Sequence, residues 1–284
     1  MTAREAEIIE LIRKEVKPAL GCTEPIAVAL AVAKAMETVE EKCGLSGPDW
    51  RMEGAYSLCI EVSGNILKNG MGVGIPGTGM VGLHIAAALG AVCGKSSYGL
   101  EVLNDLDEDS IAKAKEMVEA KDVTVGLAET DHKLYVKATV LCKDGHSACA
   151  VIEDDHDNIV ETWFDHAQLT SSHKCEGADA AAQKSTLDYK LTVKEIVDFA
   201  STVAYEDIEF ILESRTLNMA LAEEGLKGKY GLKVGYAINL SANKEVFGED
   251  FLSYAMSLTA AASDARMAGC TLAAMSNSGS GNQG

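Results

Sequence analysis

Basic residues are scarce in this chain of 284: Lys and Arg total 25 against 43 Asp and Glu, for a formal net charge of −18. Nucleic acid and anionic membrane surfaces both require cationic patches, so neither is an expected partner. Acidity of this degree reads as a solubility feature and identifies no partner. Aromatics are also few, at 5%, so the core must be built from Ala, Val, Ile, Leu and Met. Long hydrophobic runs are missing. The longest, Pro25 to Ala33, falls far short of the ~20 residues needed to cross a bilayer. The start, Met1 to Glu15, is charged and amphipathic, not an apolar signal core, which gives a cytoplasmic expectation. The eight cysteines form no C-x-x-C pair and no zinc-finger spacing; most read as buried thiols behaving as small hydrophobes. The histidines share no convergent spacing and no H-E-x-x-H, so each, His156 included, reads as a surface or locally satisfied side chain.

What the chain does have is periodicity. Apolar residues recur at helical spacing over Glu5 to Val16, with Pro18 and Gly21 as stops. A second helix is expected from Thr23, acting as N-cap, to about Lys42, before Gly44. Ala55 to Val62 reads as a strand, Gly82 to Val92 as a helix, and Asp107 to Ala120 as a helix with an acidic start. Four β signals follow at 123–128, 133–142, 147–153 and 158–164, separated by turn residues. They suggest an antiparallel meander beside helices, hence an α+β class. Gln168 to Lys190 is polar and reads as a linker. Beyond it, Val193 to Ala204, Ile208 to Glu224 and Val246 to Ala268 are helical in pattern, with a further helical segment at Ala265 to Met275. The expected organisation is an α+β domain over 1–170, a linker over 171–190 and the start of a helical domain over 191–284. The closing Gly, Ser and Asn run resembles a loop more than a tail, so the chain reads as ending inside that domain.

Three segments carry chemistry. Pro18-Ala-Leu-Gly-Cys22-Thr-Glu24-Pro25 sets a thiol immediately before a helix N-terminus, where the dipole favours a thiolate, the form a metal or cluster binds. A plain helix–turn–helix corner with Cys22 as filler fits the same residues. Ser63 to Gly79 is glycine-rich, and Gly72, Gly74 and Gly77 satisfy G-x-G-x-x-G. A dinucleotide site needs the third glycine in a helix, but Pro76 precedes Gly77 and no clean βαβ unit follows. The better reading is a loop whose amides, with Ser63, Gly64, Asn65 and Lys68, grip a carboxylate, around a hairpin turning at Asn69–Gly70. The third segment pairs Asp264 and Arg266 with Ser276-Asn277-Ser278-Gly-Ser280-Gly-Asn282-Gln283-Gly284. Arg266 can hold a carboxylate bidentately, and the polar run suits an amino acid or an oxyanion as well as it suits a linker.

Taken together, PALGCTEPIAVALA, VSGNILKNGMGVGIPGTG, ASDARM and MSNSGSGNQG resemble the L-cysteine desulfidase family, whose alpha domain is shared with iron–sulfur L-serine dehydratases. The resemblance implies a lyase that converts L-cysteine to pyruvate, ammonia and sulfide at a [4Fe–4S] cluster held by three cysteines. Cys22 matches one ligand position, and the other ligands are expected downstream of Gly284. A substrate carboxylate and a developing carbanion need fixed donors, and the expected substrate-binding residues are Ser63, Gly64, Asn65, Arg266, Asn277, Ser280 and Asn282, with Lys68 and Ser278 as catalytic groups. Lys68 stands as a donor or, if desolvated, a base. Alternatives from the same residues are an L-serine dehydratase and a non-catalytic small-molecule-binding module. The expected partner is a small amino acid, with a homodimer or association with a separate C-terminal half as the assembly.

Overall fold

A computed structural model of the chain describes residues 2–45, 49–171, 190–240 and 250–277. The first half runs α1 (Ala3–Glu15), β1 (Val16–Leu20), α2 (Thr23–Cys43), α3 (Asp49–Glu53), β2 (Tyr56–Val62), α4 (Gly64–Gly70), α5 (Leu83–Val92), α6 (Glu108–Glu119) and β3 (Val123–Leu127). There follow β4 (Tyr135–Cys142), β5 (Ser147–Glu153), β6 (Ile159–Phe164) and β7 (Ala167–Ser171). The second half holds α7 (Val193–Thr202), α8 (Tyr205–Ile208), α9 (Glu213–Gly225), α10 (Val234–Asn239), α11 (Phe251–Met267) and β8 (Ala273–Asn277). The class is α+β, as the sequence pattern indicates.

The architecture is organised around α2. Ile26 to Ala33 are all buried, and a helix that is apolar on every face must be covered on every face. One cover is a six-stranded sheet of order β3-β2-β4-β5-β6-β7. Its alternating inner residues, among them Leu58, Ile60, Ala138, Val140, Ala150 and Ile152, are buried in the same core as α2. The other cover is α5, which approaches closely because its contact residue has no side chain: a Cβ on Gly90 would lie 2.4 Å from the Ala29 carbonyl oxygen. Small residues on both helices replace the aromatic bulk that the chain lacks. Among the described residues no helix is long and apolar enough to cross a membrane.

The structure corrects four sequence expectations. The segment 123–127 is not part of the meander: β3 pairs parallel with β2, reached by a crossover through α4, α5 and α6, while β4 to β7 form the antiparallel run. The first residues of the expected linker form β7, the edge strand on β6; residues 172–189 lie outside the described residues. No hairpin turns at Asn69–Gly70, because Gly64 to Gly70 are helical. Finally, the helix expected over Ala265 to Met275 ends at Met267, and Ala273–Asn277 is a strand.

That strand ties the two halves together. β8 pairs antiparallel with β1, with Leu20 opposite Ala273 and Val16 opposite Asn277. Pro18 is tolerated because β1 is an edge strand in a two-stranded ribbon. The glycine-rich loop makes a second joint. The Gly74 amide donates to the Met267 carbonyl at 2.9 Å, and the Gly77 amide donates to the Gly269 carbonyl at 3.3 Å. A Cβ on Gly74 would fall 2.5 Å from the Ala268 carbonyl carbon, whereas one on Gly72 would meet nothing within 4 Å. Gly74→Ala is therefore expected to cost about 1–3 kcal/mol, the usual range for forced overpacking, and Gly72→Ala to leave stability nearly unchanged. Urea denaturation midpoints of the two variants check this; equal midpoints would remove the joint from the account.

Candidate functional site around Cys22

The site forms where β1 ends and α2 begins. Gly21 takes φ +81°, a conformation glycine adopts without strain, and turns the chain so that Cys22 becomes the N-cap residue of α2. The cap is thus Cys22 and not Thr23 as the sequence suggests; no side chain caps the helix, and Thr23 is buried within the first turn. The Cys22 thiol donates to Glu24 Oε2 at 3.0 Å. Asn69, at the end of α4, donates to Glu24 Oε1 at 3.4 Å. From the second half, Arg266 is 3% exposed and its Nε donates to the Gly21 carbonyl at 3.0 Å. The turn between β5 and β6 contributes His156, half-buried and near enough to Glu24 and Arg266 to feel both charges.

Electrostatics here depart from the sequence expectation of an activated thiolate. Burial, then the Glu24 carboxylate, push the Cys22 thiol up to about 12, and Arg266 pulls it part of the way back. Burial pushes Glu24 up as well, but hydrogen bonds from Cys22, its own amide and Asn69, together with His156, outweigh it and hold the carboxyl below its ordinary value. Burial holds His156 below the usual imidazole value, and Arg266 reinforces this, against the opposing pull of Glu24, Asp155 and Asp157.

The other sequence candidates are dispersed. Ser63 is buried, but its hydroxyl donates to the Lys133 carbonyl at 2.9 Å and accepts from the Tyr135 amide at 3.3 Å, so it fastens β2 to the start of β4. The loop amides expected to grip a carboxylate are also engaged: Gly74 and Gly77 with the 267–269 turn, Ile75 with Met80, Thr78 with Ile75, and Gly82 with Val73. Gly64, Asn65 and Lys68 lie exposed on α4, and a hydrated lysine has not undergone the desolvation that a lysine base needs. Asn277 is exposed at the end of β8, opposite Val16 and so at the far end of the ribbon from Cys22. Ser278, Ser280 and Asn282 lie outside the described residues. Sequence reasoning missed Glu24, read only as a helix-start residue, and His156. Both are visible only when the β5–β6 turn is folded against the α2 N-terminus.

Arg266 also lines a second space, a mainly apolar pocket of about 460 Å³ between α9 and α11 whose polar members include Arg215, Asn218 and Ser263. For a metal, the described residues supply Cys22 and its neighbour Glu24 but no group of three or more His, Cys, Asp or Glu placed to hold an ion. They therefore do not by themselves make up the three-thiolate set that the resemblance implies.

A profile of the serine dehydratase alpha chain family matches residues 97–284. The chain belongs to that family. It is also similar to UPF0597 proteins: 43% identical to one from Phocaeicola vulgatus over 98% of this chain and 61% of the relative. The figures are 45% for one from Oleidesulfovibrio alaskensis, over 97% and 61%, and 44% for one from Bacteroides thetaiotaomicron, over 98% and 61%. The chain thus spans about 61% of the length of these relatives. No solved structure matches it.

The inverted thiol chemistry is testable in metal-free protein. A pKa near 12 leaves little thiolate at pH 8, so alkylation of Cys22 by iodoacetamide should be slow and rise steeply above pH 9. Glu24→Gln removes the adjacent negative charge, lowers the thiol pKa and should speed alkylation at pH 8. Mass spectrometry of the Cys22 peptide reads both; a fast, Glu24-independent reaction would contradict the geometry.

Proposed function

We propose that the protein is a lyase of the iron–sulfur type that eliminates sulfide from L-cysteine, leaving pyruvate and ammonia. Membership of the serine dehydratase alpha chain family supports β-elimination from a small amino acid. The observation that carries the reading is the convergence of Cys22, Glu24, His156 and Arg266 from α2, the β5–β6 turn and α11. Elimination needs a cation to bind the carboxylate, a group to take the Cα proton and a Lewis acid for the leaving sulfur. Arg266 suits the first of these, and His156 or Glu24 the second. A [4Fe–4S] cluster would supply the third, with Cys22 as one ligand and the remaining ligands outside the described residues. The family's name favours a second reading, dehydration of L-serine at the same site.

The same reading includes association with further polypeptide, either a continuation of this chain, a separate C-terminal part or a second copy. The apolar residues Phe251 and Tyr254 at the α9–α11 pocket are 83% and 58% exposed, and the relatives carry sequence with no counterpart here. Both facts support a cover over this face.

The decisive assay is anaerobic release of sulfide and pyruvate from L-cysteine by the complete reading frame, after reconstitution with iron and sulfide. Equal amounts of the two products are expected, with L-serine turned over more slowly. Faster pyruvate release from L-serine would replace the substrate, and no release from either, with the cluster's visible absorption intact, would overturn the lyase.

A further inference from the structure

One face of the six-stranded sheet shares the core of α2 through Ala138, Val140, Ala150 and Ile152. Side chains alternate along a strand, so the residues between these turn to the opposite face. Strand register lines them up in rows. Glu61, Lys137, Val151 and Glu161 stand opposite one another across β2, β4, β5 and β6, and Cys59, Thr139, Cys149 and Trp163 form the next row. This face has a small core of its own. Cys149 and Val151 are 9% and 5% exposed, and Tyr135 and Trp163 pack against the cluster they form with Val160.

Over that cluster lies a cleft of about 440 Å³, a size suited to small-molecule binding. Thr139, Cys149 and Val151 line it from the middle strands, Tyr135 from one end of β4 and Trp163 from β6. Lys137 and Glu161 line it as well, in one row with Val151 between them. Two strand spacings, about 10 Å of main chain, separate them. Both groups are fixed. Lys137 Nζ meets Glu61 Oε2 at 3.0 Å, while Glu161 accepts from Trp163 Nε1 at 3.0 Å and from Gln168 at 3.1 Å. A lysine ammonium has three donors and a carboxylate about four acceptor positions, so each can serve a ligand alongside these partners.

An ammonium on one side, a carboxylate on the other and an apolar, aromatic-walled space between them match one ligand chemistry, a zwitterion with an apolar body. A simple anion or a simple cation would meet one group that repels it. We propose that this cleft binds an α-amino acid with a bulky apolar side chain, its carboxylate on Lys137, its ammonium on Glu161 and its side chain against Trp163 and Tyr135. The cleft lies on the face of the sheet turned away from α2, and its occupation does not depend on the lyase reading.

The test is calorimetric titration of the purified protein, without iron or sulfide, with three probes: L-phenylalanine, phenethylamine and 3-phenylpropanoate. The second lacks the carboxylate and the third the ammonium. L-phenylalanine should bind saturably and each analogue about tenfold or more weakly, the worth of one charge-assisted hydrogen bond. Lys137→Met should reduce L-phenylalanine to the level of phenethylamine, and Lys137→Arg should restore it. Glu161→Gln, which keeps an acceptor for the indole N–H, should reduce it to the level of 3-phenylpropanoate. Melting temperatures establish that the variants fold, and the three-probe comparison on wild type needs no variant. Affinities within a few-fold for all three probes would leave an apolar cleft and overturn the zwitterion site. So would the absence of saturable binding, and unchanged affinity in both charge-removing variants would place any binding elsewhere.

Discussion

The buried hydrogen bond from Arg266 to the Gly21 carbonyl is the contact on which the site depends. A guanidinium at 3% exposure carries a large desolvation cost, which only well-placed acceptors offset. Its acceptor is the backbone immediately before Cys22, so the helix α11 of the second half fixes the start of α2 in the first. Two parallel joints hold the same geometry: the β1–β8 ribbon and the amides of Gly74 and Gly77 on the 267–269 turn. The candidate site is therefore not a property of either half. It exists because the sheet half presents Cys22, Glu24 and His156 while the helical half presents Arg266.

This arrangement recasts the glycine-rich segment. Read by itself, a run such as 72–79 suggests amides free to bind an anion. In the fold the amides of Val73, Gly74, Ile75, Gly77 and Thr78 are already paired with carbonyls, and Gly74 has no side chain because the end of α11 passes against its Cα. Gly77 and Gly79 take positive φ for the turn. The segment works as a joint between the two halves.

Local signals were legible where local physics decides. The first residue of α2, its stop at Gly44, the acidic start of α6 and the strand alternation of β2 and β4 all follow from spacing and local composition. What failed was decided by partners distant in sequence. Ala273–Asn277 has the alanine and methionine of a helix but becomes a strand because β1 offers it an edge. Ser276 stands opposite Lys17, 259 positions away, and its hydroxyl donates to the Lys17 carbonyl at 2.7 Å. β3 sits beside β2 because a crossover carries it there. His156 looked like an ordinary turn residue because nothing nearby in sequence marks a turn that folds inward.

The thiol shows how magnitudes overrule a correct local argument. A helix N-terminus does favour a thiolate, by about 0.3–1 kcal/mol. Burial and Glu24 move Cys22 the other way, from an ordinary 9.0 to about 12, on the order of 4 kcal/mol at about 1.36 kcal/mol per pH unit. The dipole loses by severalfold. Cys22 is thus held as a neutral thiol that donates its hydrogen bond to a carboxylate, a balance that shifts when the Glu24 charge is removed or positive charge is added at the α2 corner. A cation arriving there would displace the proton from sulfur and release Glu24 from its thiol bond in one event.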